Sequence, residues 1–280
     1  GMQLFTHHTS DPQPHGTVLI CHGYAEHQGR YRRLVDSLNH DGYDAVTFDL
    51  SGHGSADGPR AQVDVGRLIT EHRAARADAL ANSRTSQLFV LGHSMGGIIT
   101  AASVLIDPDH VAGMVLTGPA FRPAAPITAK VARSMLTLAR IAPGLPTAKL
   151  DAGGVSRDPD VVDDYENDPL NFHGPVPLIT ALTMCVQGDH TIARADSLSV
   201  PTLVIHGSHD HLARPSGSEE FVRNARLSLA WGTHTPDAHL RVIDGAYHEV
   251  LNEPEGPGLM RDIALWMDAR RPAADNGADA

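Results

Sequence analysis

Apolar residues fall in two alternating patterns along the chain. Short unbroken runs, TVLICHG (17–23), YDAVTFDL (43–50), LFVL (88–91), VAGMVLT (111–117), PTLVIH (201–206) and HLRVI (239–243), read as strands. Runs without polar alternation imply burial on both faces, the habit of parallel sheet. Between them lie stretches at helical spacing: YRRLVDSLN (31–39) closed by Gly42, a mainly polar stretch at 63–83, the residues after Ser94 up to Asp107-Pro108, 215–229, and an amphipathic stretch at 258–269. A short strand at 3–8 precedes a proline-rich turn at 11–14. Strand–helix alternation of this kind predicts an α/β fold, a mostly parallel sheet with helices on both faces.

The pattern breaks at Gly118-Pro119. From there to Ser199 the chain is rich in Pro, Ala and Asp, and we expect a helical cap inserted without strands. The expected organisation is a core at 2–118 and 200–271, a cap at 119–199 and a disordered tail at 272–280. Within the cap, Ile127, Val131, Met135 and Leu138 share one face of a helix at 127–142, with Lys130, Arg133 and Arg140 opposite. Packing onto the main domain is the simpler reading of that stripe; lining an acyl pocket, or touching an anionic lipid surface, are the alternatives.

Composition narrows the picture. Hydrophobic residues make up 41% of the 280, enough for a sizeable core. Lys+Arg 22 against Asp+Glu 33 gives a net charge of −11, and with no basic block a nucleic-acid partner is not expected. No stretch has the length of apolar residues a membrane span needs. Two cysteines, Cys21 and Cys185, make no disulfide framework, Gly1 before Met2 resembles a tag remnant, and the polar start carries no export signal; a cytoplasmic location is expected.

The chemistry centres on QLFVLGHSMGGI at 87–98. Gly92, Ser94 and Gly96 form G-x-S-x-G between a strand and a helix, where a strained turn lifts the serine hydroxyl clear of the backbone. The Met95 amide then opens the helix beside it and suits a developing oxyanion. A serine nucleophile needs an imidazole to take its proton and a carboxylate to orient that imidazole. In open parallel sheets such groups gather at the carboxyl ends of strands, which selects Asp210 after VIH and His248 after VID. Both follow Ser94 in the order nucleophile, acid, base. Asp244 and Glu219 compete with Asp210, but Asp244 lies only four residues from His248 and suits a turn. The second oxyanion donor is expected at the HGY turn, from the Tyr24 N–H. A metal site from His206, His209, Asp210 and His211 is disfavoured because the spacing is wrong and no second cluster completes it. No metal or cofactor is expected.

With these pieces in place, the chain resembles the α/β-hydrolases, and within them the monoacylglycerol lipase-like (serine aminopeptidase/lysophospholipase-like) branch. The resemblance rests on HGYAEHQGRY (22–31), DLSGHGSADG (49–58), GHSMGG (92–97), HGSHD (206–210), GAYHEVLNEP (245–254) and, in the cap, YENDPL (165–170). It implies an esterase acting on a small-molecule fatty acyl ester of glycerol, under a cap that covers an acyl tunnel. It also implies that Glu26, Arg30 and Tyr165 lie near the polar end of the site, with His93 counted among the substrate-binding residues. Glu26 and Arg30 would order the loop bearing Tyr24. From the residues alone, the two could equally form a surface ion pair. Other uses of the same triad are a thioesterase, a carbon–carbon bond hydrolase or a small peptidase; a non-catalytic binding scaffold has no need of it. The residues assign no oligomeric state.

Overall fold

The computed structural model describes residues 2–272. The first half of the chain runs β1 (Leu4–His7), β2 (Gly16–Cys21), α1 (Arg32–His40), β3 (Tyr43–Phe48), α2 (Val65–Ala81), β4 (Leu88–His93), α3 (Met95–Ile106) and β5 (Val111–Thr117). An insertion follows, made of α4 (Ala129–Ser134), α5 (Leu136–Ile141), β6 (Pro146–Lys149), α6 (Pro159–Asn167), β7 (Pro175–Pro177) and α7 (Leu178–Arg194). The sheet then resumes with β8 (Thr202–Gly207), α8 (Pro215–Ala225), β9 (Ala238–Ile243) and α9 (Gly256–Asp268).

Seven strands form one sheet in the order β1-β3-β2-β4-β5-β8-β9, all parallel except β1, which runs antiparallel to β3. The unbroken apolar runs are buried because helices cover both faces. Leu19 and Cys21 of β2, Val90 of β4, and Met114 and Leu116 of β5 pack with α2, α3 and α8. Their neighbours Val18, Ile20, Phe89, Leu91 and Val115 point the other way, onto α1 and α9. The order of strands puts β4 at the centre, so its C-terminal end opens between the loops that follow β2, β5 and β8.

The insertion differs from its expected form in two ways. Residues 127–142 do not make one helix: the chain breaks at Met135 into α4 and α5, because the burial of Ala132 and Ala139 against α7 wraps the segment around that helix. Second, the segment is not free of strands, since β6 and β7 pair as a short antiparallel ribbon. Prolines occupy both ends of that ribbon, where the missing N–H costs little. The longest helix of the insertion is α7, which has no single apolar stripe because it is buried on two sides. Leu178, Ile179, Leu182 and Cys185 meet α4 and α5, while Met184 and Ile192 join the core over the sheet. Gly188 lets it approach the main chain of Phe121, whose carbonyl oxygen a Cβ would meet at 2.3 Å.

Elsewhere the expected helices shift at their ends. Asp64 caps α2 by accepting from the Gly66 N–H at 2.9 Å, and α8 stops at Ala225, short of residue 229. The expected tail at 272–280 lies, apart from Pro272, outside the described residues, as does Gly1. Among the described residues no helix is long and apolar enough to cross a membrane.

Candidate active site

Ser94 sits between β4 and α3 with φ 57° and ψ −118°, a strained backbone for a residue with a side chain. The flanking glycines make that turn fit. A Cβ at Gly92 would stand 2.3 Å from the Gly96 carbonyl oxygen, and one at Gly96 would stand 2.3 Å from the carbonyl oxygen of His22. Strand, helix and the loop after β2 therefore meet closer than any larger residue permits.

The loops after β8 and β9 bring two further side chains to this point. His248 Nε2 lies 2.8 Å from Ser94 Oγ, and His248 Nδ1 lies 2.7 Å from Asp210 Oδ2. The carboxylate accepts, so the proton is on Nδ1 and bare Nε2 faces the serine hydroxyl. Burial disfavours the imidazolium of His248, but Asp210, with Glu249 and Glu26 behind, outweighs it and raises the pKa above the ordinary histidine value. Asp210 itself is fixed on its other oxygen by the amides of Leu212 and Ala213, both at 2.9 Å. Burial would raise its pKa; His248 and His206 overcome that and hold the carboxyl well below the usual range. The competing carboxylates lie elsewhere: Asp244 and Glu219 are exposed.

The HGY turn after β2 stands against the serine, with Ser94 Cβ only 3.1 Å from where a Cβ of Gly23 would be. The main-chain N–H groups of Tyr24 and Met95 donate to no protein acceptor among the described residues, so both are free to bind a negative oxygen. Glu26 shapes the turn: its Oε2 accepts from the Gly23 N–H at 2.8 Å and from the Tyr31 hydroxyl at 2.6 Å. Arg30 Nη1 donates to Glu26 Oε1 at 2.8 Å and to Glu249 Oε2 at 2.7 Å, and Nη2 donates to Glu249 Oε1 at 2.8 Å. The side chains of Arg30, Glu26 and Glu249 are 10%, 4% and 6% exposed, so this is a buried network and not the surface pair that was the alternative.

The insertion closes on this loop. The ring of Tyr165, on α6, covers the Arg30 guanidinium at 4.9 Å. His27 Nε2 reaches Asp168 Oδ2 at 2.7 Å, and the Phe172 N–H donates to the Ala25 carbonyl at 2.8 Å. On the histidine side, the Glu249 N–H donates to the Val155 carbonyl at 2.7 Å. His93 lies buried beneath the triad, its Nδ1 2.9 Å from the Thr117 carbonyl and its ring 4.8 Å from that of His248. Burial lowers its pKa to about 4, so it is neutral.

Two residues here were not singled out from sequence. Gly118, after β5, has φ +47°, and a Cβ there would meet the His248 carbonyl oxygen at 2.9 Å, its Nδ1 at 3.3 Å and Asp210 Oδ2 at 3.5 Å. The abrupt end of an apolar strand at Gly-Pro was its only signal. Glu249 follows the histidine directly, and nothing local marks it as a partner of Arg30, 219 residues away. Glu26, His93 and Glu249 also place ligand-type atoms within 4.8 Å of one another, but the Arg30 guanidinium bridges the two carboxylates. Of the residues weighed for a metal, His206 binds the Ser218 hydroxyl at 2.7 Å and the Ala213 carbonyl at 2.9 Å, Asp210 holds His248, and His209 and His211 are exposed.

Known proteins match this chain along most of its length. The family model of the serine aminopeptidases, S33, matches residues 12–255. A monoacylglycerol lipase of Mycolicibacterium smegmatis is 36% identical over 92% of this chain and 90% of its own. The human monoglyceride lipase is 29% identical over 93% of this chain and 85% of its own. Among solved structures, the monoacylglycerol lipase of Paleococcus ferrophilus superposes with a TM-score of 0.83 at 27% identity, covering 96% of this chain and 99% of that one.

Proposed function

The chain belongs to the serine aminopeptidase, S33 family of α/β-hydrolases, and from that membership we propose that this serine ester hydrolase cleaves monoacylglycerols through an acyl-enzyme on Ser94. The observation that carries the proposal is the unbroken chain of contacts from Ser94 Oγ through His248 to Asp210, at 2.8 and 2.7 Å. His248 Nε2 takes the Ser94 proton as Oγ attacks the ester carbonyl, and Asp210 holds the imidazole in the required tautomer. The amides of Tyr24 and Met95 bind the oxyanion. The same imidazole then gives its proton to the leaving alcohol, and water repeats the sequence with His248 again as base.

Glycerol as the alcohol is supported by the relatives' names and by the polar groups packed on the loop that bears Tyr24: Glu26, Arg30 and Tyr165, with His93 near Glu26. The insertion at 119–199 serves as the cap. Its outer surface presents Val131, Leu138 and Ile141, at 44%, 47% and 78% exposure, beside Lys130 and Arg140, which suits transient contact with an anionic lipid surface. Unpaired, buried Cys21 and Cys185 suit a reducing cytoplasm.

The test is turnover of monoacylglycerols, diacylglycerols and short water-soluble esters by the purified protein. We expect the highest kcat/KM on monoacylglycerols. Equal efficiency across the panel would replace this proposal with a general carboxylesterase.

A further inference from the structure

The Glu26–Arg30–Glu249 cluster holds two buried carboxylates against one guanidinium whose side chain is 10% exposed. It joins the turn that bears Tyr24 to the residue following His248, through one side chain. Resting on the serine-hydrolase reading above, we propose that Glu249 is a positioning residue that acts through His248. With Arg30 it locks the histidine loop to the oxyanion loop, and the cluster's one uncancelled negative charge stabilises the imidazolium formed while Ser94 attacks.

Geometry supports both halves of this. Glu249 is held at both ends, its N–H on the Val155 carbonyl at 2.7 Å and its carboxylate in a two-bond fork with Arg30, so the peptide following His248 has little freedom. Glu26 Oε2 meanwhile fixes Gly23 N–H, one residue before the Tyr24 donor. A rigid guanidinium therefore sets the distance between base and oxyanion donor. The charge argument follows from counting what faces His248. Asp210, with His206 behind it, comes from the loop after β8; His93 comes from β4 and is neutral. Glu26 and Arg30 come from the loop after β2 and Glu249 from the histidine's own loop, while the insertion offers the Gly154 carbonyl and, over Arg30, the Tyr165 ring. Arg30 cancels one carboxylate; the other remains, in a dry region where such a charge is weakly screened. During the reaction the proton leaves Ser94 Oγ for His248 Nε2, and the positive charge that results is what this surplus favours.

Glu249→Gln tests the proposal because it removes one charge while leaving the Glu26–Arg30 pair compensated. Loss of a negative neighbour lowers the pKa of His248, so the acid limb of kcat/KM is expected to move to lower pH by roughly half a unit. At the plateau kcat should fall about threefold, the factor half a unit represents, with KM unchanged. Glu249→Asp keeps the charge on a shorter arm; its limb should stay at the wild-type pH while kcat drops. Should Glu249→Gln not fold, Glu26→Gln removes the same unit of charge from the other side of Arg30 and should shift the limb the same way. A folded charge-removing variant whose profile superimposes on wild type, or moves to higher pH, overturns the proposal. The hydrolase reading is checked separately: wild type with no esterase activity, or Ser94→Ala with full activity, would remove that reading itself.

Discussion

Gly118 is the position where the smallest change should do the most harm to the reaction. Its φ of +47° suits glycine, and placing alanine there costs about 1–2 kcal/mol of backbone strain. The new methyl would stand 2.9 Å from the His248 carbonyl oxygen, 3.3 Å from Nδ1 and 3.5 Å from Asp210 Oδ2. The carbonyl is main chain and cannot rotate away, so the histidine loop must retreat by roughly half an ångström to restore ordinary contact. His248 Nε2 starts 2.8 Å from Ser94 Oγ, and a displacement of about 1 Å in a reacting group costs roughly 10²-fold. Half that shift corresponds to about tenfold in kcat, or about 1.4 kcal/mol of barrier. Steady-state hydrolysis of p-nitrophenyl butyrate measures kcat and KM, and urea unfolding measures the strain. We expect Gly118→Ala to stay folded, with KM nearly unchanged. A folded variant with wild-type kcat would refute the claim that this glycine leaves room for the triad.

Two other substitutions test separate parts of the site. Asp210→Asn keeps the shape but no longer holds the proton on His248 Nδ1, so kcat should fall on the order of 10⁴-fold; a fall under tenfold would show that another carboxylate orients the imidazole. Arg30→Met leaves the buried carboxylates of Glu26 and Glu249 without their cation, and urea unfolding at neutral pH should show a loss of about 3–5 kcal/mol. A loss below about 1 kcal/mol would mean that the two carboxylates are not held in a dry site.

The sheet was legible in the sequence because strands buried on both faces leave unbroken apolar runs, as β2, β4 and β5 do. The place of Ser94 was legible for a different reason: glycines two residues to either side are demanded by main-chain contacts of 2.3 Å. Asp210 and His248 could be selected because the ends of parallel strands converge. The insertion was not readable in the same way. Buried on two sides, α7 shows no stripe, and the β6–β7 ribbon hides behind its prolines. Nor does local sequence record Glu249 meeting Arg30, or Gly118 lying beneath His248, since both contacts depend on how distant loops pack.

A covalent bond at one hydroxyl is the central event of the reaction, and rapid acid quench during turnover of p-nitrophenyl butyrate, followed by peptide mass spectrometry, looks for it directly. A butyryl group on Ser94 alone, absent from Ser94→Ala, is the result expected. The acyl group on another residue, or undiminished hydrolysis by Ser94→Ala, would contradict it.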